Sequence, residues 1–151
     1  MEQWYFEDFE VGQVFRSQGR TITESDVAGF AALTWDTNQV HTDEVAMASS
    51  RFGGRIAHGL LGISFAMGLA SRIGVFEQCS IALLGVENWQ FHLPIRIGDT
   101  LTCEVTITST RRTSAGDSGV LGRSFAVLNQ DGALVQSGEI PLLVSPGAAP
   151  S

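Results

Sequence analysis

Between His58 and Ile73 runs a stretch that leaves the chain little choice of architecture. Leu60, Leu61, Ile63, Phe65, Ala66, Met67, Leu69 and Ala70 cover nearly every side of a helix wound through it, and a helix apolar all round has to be enclosed by the rest of the protein. After Gly74 the period changes. The runs 81–91, 100–110, 119–128 and 134–143 are rich in β-branched and apolar residues, and Pro94, Gly98-Asp99, Gly116-Asp117 and Asp131-Gly132 separate them. Breaks of hairpin length join strands that run antiparallel. A chain of 151 residues supports one domain around one core. The expectation is an α+β fold over residues 1–144, with a long buried central helix wrapped by an antiparallel β-sheet of about five strands. Residues 145–151, Ser-Pro-Gly-Ala-Ala-Pro-Ser, offer no apolar face and are expected to form a disordered tail.

Upstream of the helix, residues 11–15 lead into 20–22 as a first strand. Thr23-x-x-Asp26 then starts a helix in the manner of a capping box, with acidic groups where the helix dipole favours them. Val27, Phe30, Ala31 and Thr34 share one face of that helix. Thr42-Asp43-Glu44 reads as a second helix start, running to about Ala48, and residues 49–55 carry loop chemistry.

Between the two helices lies a polar bend, Trp35-Asp-Thr-Asn-Gln-Val-His41. Asp36, Asn38 and His41 there combine a carboxylate, an amide and an imidazole, the groups an acid/base pair needs if two side chains of different proton affinity converge on one atom. The same residues also suit a turn in which Asp and Asn bond their own backbone.

Composition excludes several chemistries. The formal charge is −7, and all nine cations are arginine. Without lysine there is no Schiff base and no P-loop, and without clustered cations nucleic acid is not an expected partner. Cys79 and Cys103 lack neighbours at metal-ligand spacing, so no metal is expected and both read as buried free thiols. The first ten residues are acidic and aromatic, unlike a signal peptide, and the apolar run from Leu60 to Leu69 falls short of the roughly 20 residues that cross a bilayer. The expectation is a cytoplasmic protein with no membrane association.

Five ordered motifs extend these readings: Phe9-Glu-Val-Gly12, Thr21-Ile-Thr-Glu-Ser-Asp26, Asp36-x-Asn-x-x-His41, Arg55-Ile-Ala-His-Gly59 and Leu93-Pro-Ile-Arg-Ile-Gly-Asp-Thr-Leu101. Together they resemble the MaoC-like, or R-specific enoyl-CoA hydratase, family of the hot-dog superfamily. The resemblance implies a single hot-dog fold and an (R)-specific hydratase/dehydratase interconverting trans-2-enoyl-CoA and (R)-3-hydroxyacyl-CoA thioesters. It implies Asp36 and His41 as the catalytic pair and the Gly59 N–H as the oxyanion-hole donor. Asn38 and His58 would support them, although His58 also reads as a hydrogen-bonded structural histidine. No cofactor is implied, since coenzyme A is part of the substrate. The implied partners are an acyl-CoA or acyl-carrier thioester and a second copy of the chain, as a homodimer or a dimer of dimers.

The chain departs from the family's hydratase motif at Trp35, where glycine is expected, and at Gln39, where proline is. Trp35 either shapes the acyl pocket or packs in the core. Ser64 either lines that pocket or bonds back to the preceding turn. Arg51, Arg55, Arg111 and Arg112 are available for phosphate contacts or as surface charges. Two other readings stay open: a hot-dog acyl-CoA thioesterase, and a non-catalytic acyl-CoA-binding hot-dog protein.

Overall fold

A computed structural model of the chain describes residues 2–148. After a 3-10 turn at Phe6–Asp8 come two short strands, β1 (Val14–Arg16) and β2 (Arg20–Thr21), where the sequence pattern suggested one. Both lie antiparallel on the long strand β5 (Thr100–Arg112). Between them Ser17 keeps the ladder satisfied: its N–H donates to the Cys103 carbonyl at 2.9 Å and its Oγ accepts from the Cys103 N–H at 2.9 Å.

Helix α1 (Glu24–Thr34) begins with the expected reciprocal cap. Thr23 Oγ1 accepts from the Asp26 N–H at 3.1 Å, and the Asp26 carboxylate accepts from the Thr23 N–H at 2.8 Å. Val27 and Ala31 are its buried residues. Two short helices follow, α2 (Gln39–Thr42) and α3 (Glu44–Ala48). The cap of α3 is Asp43, whose carboxylate accepts from the Ala46 N–H at 2.9 Å; α2 had no counterpart in the sequence reading.

Helix α4 (Gly59–Ile73) faces a sheet completed by β3 (Ser80–Leu83), β4 (Glu87–Phe91), β6 (Gly119–Leu128), β7 (Leu134–Glu139) and β8 (Leu142–Val144). The order is β1-β5-β6-β7-β4, with β8 beside the first half of β6 and β3 beside β8. Two of the expected strands are therefore broken, at residues 84–86 and 140–141. Taking each broken pair as one row, and β1 with β2 as another, leaves five antiparallel rows. Pro141 has no N–H for a ladder, and the sheet bends there around Arg123. Arg123 Nε–H donates to the Ile140 carbonyl at 2.9 Å, and the Ile140 N–H donates to the Arg123 carbonyl at 3.0 Å.

Alternate residues of β5 and β6 build the core face: Leu101, Cys103, Val105 and Ile107, then Leu121, Phe125 and Val127. Against them α4 buries Leu61, Gly62, Ala66, Leu69 and Ala70. The expectation that this helix is enclosed on all sides does not hold within one chain. Leu60 is 63% exposed, Ser64 and Gly68 are exposed, and Ile63, Phe65 and Met67 are half-buried. The sheet covers one stripe, and α1 to α3 do not reach around to the other. Among the described residues no helix is long and apolar enough to cross a membrane.

The tail expected to be disordered is tied down over its first residues. Ser145 donates its N–H to the Cys79 carbonyl at 2.8 Å and accepts from the Phe6 N–H at 3.1 Å, and the Gly147 N–H donates to Glu7 Oε2 at 2.9 Å. Backbone pairing holds this segment where no apolar face was needed. The rest of that expectation, residues 149–151, lies outside the described residues.

Two glycines of α4 play opposite parts. A Cβ on Gly62 would meet the amide of buried Gln136 at 2.2 Å, whereas one on Gly68 meets nothing within 4 Å. Gly68→Ala should raise stability by roughly 0.5–1 kcal/mol, because alanine is the better helix former. Gly62→Ala should lower it by roughly 1–3 kcal/mol through overpacking. Chemical denaturation of the two variants reads both signs.

Candidate active site

The polar bend starts where α1 ends. Trp35 caps that helix in the left-handed region, at φ 64° and ψ 10°, and turns the chain so that Asp36 leaves the helix axis. The Asp36 carboxylate then faces two ways. Oδ1 accepts from the Asn38 N–H at 3.4 Å, while Oδ2 lies 3.9 Å from His41 Nε2. Asn38 Oδ1 accepts from the Val40 N–H at 3.2 Å and caps α2, the helix that carries His41. The expected backbone-bonding turn is thus present, and it leaves the Asp36 carboxylate facing the His41 ring.

His41 is held from behind. Its Nδ1–H donates to the Ile56 carbonyl at 2.8 Å, and that bond fixes the neutral tautomer whose Nε2 lone pair faces Asp36. His58, the buried residue preceding α4, donates from Nε2–H to the Asp36 backbone carbonyl at 2.8 Å. Its ring stacks on His41 with centroids 3.7 Å apart and planes inclined by 25°, and Phe30 backs it at 5.0 Å. His58 therefore positions both members of the pair.

Gly59, the first residue of α4, brings the helix N-terminus beside this cluster. An unpaired N–H and the positive end of the dipole coincide there, and no hydrogen bond from the Gly59 N–H occurs among the described residues. Its carbonyl accepts from Gln136 Nε2 at 3.0 Å, and Gln136 Oε1 accepts from Trp89 Nε1 at 3.0 Å. The Phe91 ring packs on the Gly59 Cα so closely that a Cβ would come within 2.9 Å of it. An apolar cleft of about 260 Å³ opens here, lined by Phe52, Ile56, Gly59, Phe91, Leu93 and Gln136. Asp36 itself stands at the surface, its side chain 53% exposed, with His41 more enclosed at 11%.

The other expected residues lie apart. Trp35 is 88% exposed and lines no part of the cleft, which also excludes its core-packing alternative. Ser64 is exposed and its hydroxyl donates back to the Leu60 carbonyl at 2.9 Å. Arg55 is not free for phosphate: it donates to both Glu24 carboxylate oxygens at 2.6 Å and to Glu44 at 2.5 Å, tying α1 to α3 and holding the Glu24 carboxyl below its usual range. Arg112 pairs with Glu7. Sequence reasoning missed the Ile56 carbonyl, which has no side-chain signature. It also missed Gln136, buried beside buried Val135 where a register shift breaks the alternation.

Ligand atoms of Asp36, His41 and His58 lie within 4.8 Å of one another. The geometry does not suit a metal ion. Imidazole lone pairs lie in the ring plane, so two stacked rings aim theirs side by side rather than at a common point about 2.0–2.1 Å from each.

Comparison with known proteins identifies the family. The MaoC-like domain model matches residues 8–124. Protein MaoC of Klebsiella aerogenes is 40% identical over 72% of the chain, which spans 31% of that longer protein. An (R)-specific enoyl-CoA hydratase of Rhodospirillum rubrum is 39% identical over 69% of the chain and 69% of its own length. A Mycobacterium tuberculosis protein described as a double hot-dog fold superposes with a TM-score of 0.87 at 22% identity, over 99% of this chain and 47% of that one, which bears on the fold alone. The fold is thus a hot-dog, with Asp36, His41 and His58 clustered beside the start of its helix. The chain belongs to the MaoC-like dehydratase family.

Trp35 occupies a backbone conformation that suits glycine, the residue expected there from the motif. A side chain in this region costs roughly 1–2 kcal/mol. Trp35→Gly should therefore recover about 1 kcal/mol of stability despite losing an aromatic side chain, since that ring is almost fully exposed. Thermal unfolding of the variant checks the sign.

Proposed function

We propose that the chain catalyses reversible syn hydration of trans-2-enoyl thioesters to (R)-3-hydroxyacyl thioesters, with Asp36 and His41 as the catalytic pair. The observation that carries this reading is the 3.9 Å separation of Asp36 Oδ2 and His41 Nε2. That gap is too long for a direct hydrogen bond, yet one oxygen at about 2.8 Å from each atom fits it. In the hydration direction that oxygen belongs to water. It bonds to C3 of the enoyl group and loses a proton to the pair. The negative charge passes to the thioester oxygen as an enolate, and a proton from the pair is delivered to C2 as the enolate collapses. The two groups act on that one oxygen from either side.

The enolate oxygen is received by the Gly59 N–H at the start of α4, where a preorganised donor and the helix dipole both oppose the developing charge. Gln136 steadies the same peptide from its carbonyl side, and the cleft beside Gly59 accepts apolar acyl carbons. No cofactor enters the reaction; coenzyme A or a carrier's pantetheine arrives with the substrate. The names of the relatives support this chemistry. A cytoplasmic location fits a CoA thioester and two buried free thiols, Cys79 and Cys103.

A homodimer fits the same surface. Ile81 and Leu83 of β3 and Phe91 of β4 are all more than half exposed, with Leu84 and Val86 between them, and β4 ends the sheet with an edge that no strand among the described residues pairs. An apolar strand edge of this kind calls for a partner. A second copy would cover it together with the open side of α4.

Crotonyl-CoA is the test substrate. Its enoyl-thioester absorbance should fall on addition of the protein, and Asp36→Asn or His41→Ala should lower kcat by about 10²–10⁴-fold with the fold intact by circular dichroism. Release of free thiol without hydration would contradict the assignment. Sedimentation equilibrium should give twice the 16.2 kDa chain mass; a monomer that is fully active would contradict the dimer.

A further inference from the structure

At the far end of α4 lies a charged group the proposed reaction does not use. Arg123 on β6 is 2% exposed, and the alternation of β6 turns its side chain to the core face shared with Leu121 and Phe125. Among the described residues its side chain forms one hydrogen bond, from Nε–H to the Ile140 carbonyl, and Nη2 is buried without a partner. The guanidinium lies over the rings of Phe76 and Phe125, 4.9 and 5.1 Å from their centroids. No carboxylate pairs with it among the described residues.

A buried charge without a counter-ion is costly, and proteins seldom retain one uncompensated. The neighbouring thiols do not supply the missing charge. Burial pushes the Cys103 thiol up to about 12 and raises Cys79 as well, so both are neutral. Burial also draws the guanidinium down to about 10, which leaves it cationic at neutral pH. The aromatic faces offset part of the cost, but they satisfy none of the remaining N–H donors.

Arg123 also forms part of the wall of a cavity of about 290 Å³ between the second half of α4 and β3. Most of that wall is apolar, from Met67, Ala70, Phe76 and Leu142 and from Ile81 and Leu83, which stand on the edge that the proposed second copy would cover. Glu77, Ser71 and Ser80 complete it; Ser80 spends its hydroxyl on the Phe76 carbonyl, and Glu77 is exposed. At about 30 Å³ per heavy atom the cavity holds on the order of ten.

We propose that this cavity is a binding subsite for a carboxylate carried on a short apolar chain, with Arg123 as its counter-ion. A carboxylate accepts two parallel N–H bonds from one guanidinium, and the apolar wall takes the chain behind it. Two sources carry this chemistry: a free aliphatic acid, or the distal end of an acyl chain whose thioester lies at Gly59. From Gly59 to Met67 the helix rises about 12 Å, a distance that an extended medium-chain acyl group covers.

The test compares octanoate with octanamide, probes of nearly equal shape, by calorimetric titration of the full chain. Octanoate should bind at least tenfold more tightly. Arg123→Met should abolish that preference, and Met67→Trp, which fills the cavity from α4 without touching the arginine, should abolish binding of both probes; circular dichroism verifies the fold of each variant. Equal affinity for the two probes, binding of neither, or a preference that survives Arg123→Met would overturn the proposal. So would octanoate binding that appears only in Glu77→Gln, since Glu77 would then be the native counter-ion. The source is read from hydration of medium-chain enoyl thioesters ending in a methyl or a carboxylate. If the subsite serves the substrate, Arg123→Met raises KM at least tenfold for the carboxylated thioester alone; if it serves a free acid, octanoate binds without inhibiting hydration. Because the octanoate titration does not involve turnover, its outcome is independent of whether the hydratase assignment holds.

Discussion

Two hydrogen bonds of 2.8 Å lock the polar bend and the start of the long helix to each other. One runs from His41 Nδ1–H to the carbonyl of Ile56, just before α4; the other runs from His58 Nε2–H, at the helix cap, back to the carbonyl of Asp36. Each histidine thus holds the segment that carries the other, and their stacked rings leave little freedom between them. The consequence is chemical as well as structural. The His41 tautomer, the facing of Nε2 toward the carboxylate and the nearness of both to His58, the residue before α4, all follow from this reciprocal anchoring.

The periphery reinforces the same joint. Arg55 clamps Glu24 at the start of α1 and Glu44 at the start of α3, so the helices flanking the bend cannot drift independently. Gln136 reaches from β7 to the Gly59 carbonyl and needs Gly62 for room. Against these supports stands one local cost, the left-handed conformation of Trp35. Strain of this kind persists where surrounding contacts over-determine the backbone, and the residue after it is Asp36.

The parts legible in the sequence were those whose signal is local. Thr23 and Asp26 announce the cap of α1 because both halves of that interaction lie within one turn, and Asp36, Asn38 and His41 stand out because a carboxylate, an amide and an imidazole are recognisable as residue types. What was not legible depends on partners distant in the chain. The apolar pattern of α4 says that the helix wants cover, but not whether its own sheet or something else provides it, and Leu60 shows that its own sheet does not. The Ile56 carbonyl, and Ser145 with its backbone bonds to Phe6 and Cys79, act through atoms every residue has, so no residue type marks them. Neither strand break was read: the expected run 134–143 passes through Pro141, although proline has no N–H for a ladder, and the break at 84–86 falls in Leu-Gly-Val, which carries no polar turn signal.

The central claim is spatial: one oxygen is held jointly by Asp36 and His41 while a thioester oxygen is held by the Gly59 N–H. A crystal structure with a bound 3-hydroxybutyryl thioester tests it most directly. The expected result is the 3-hydroxyl oxygen within hydrogen-bond distance of both Asp36 Oδ2 and His41 Nε2, with the thioester carbonyl directed at Gly59. A thioester carbonyl lying between Asp36 and His41, or a ligand bound away from both, would contradict the claim.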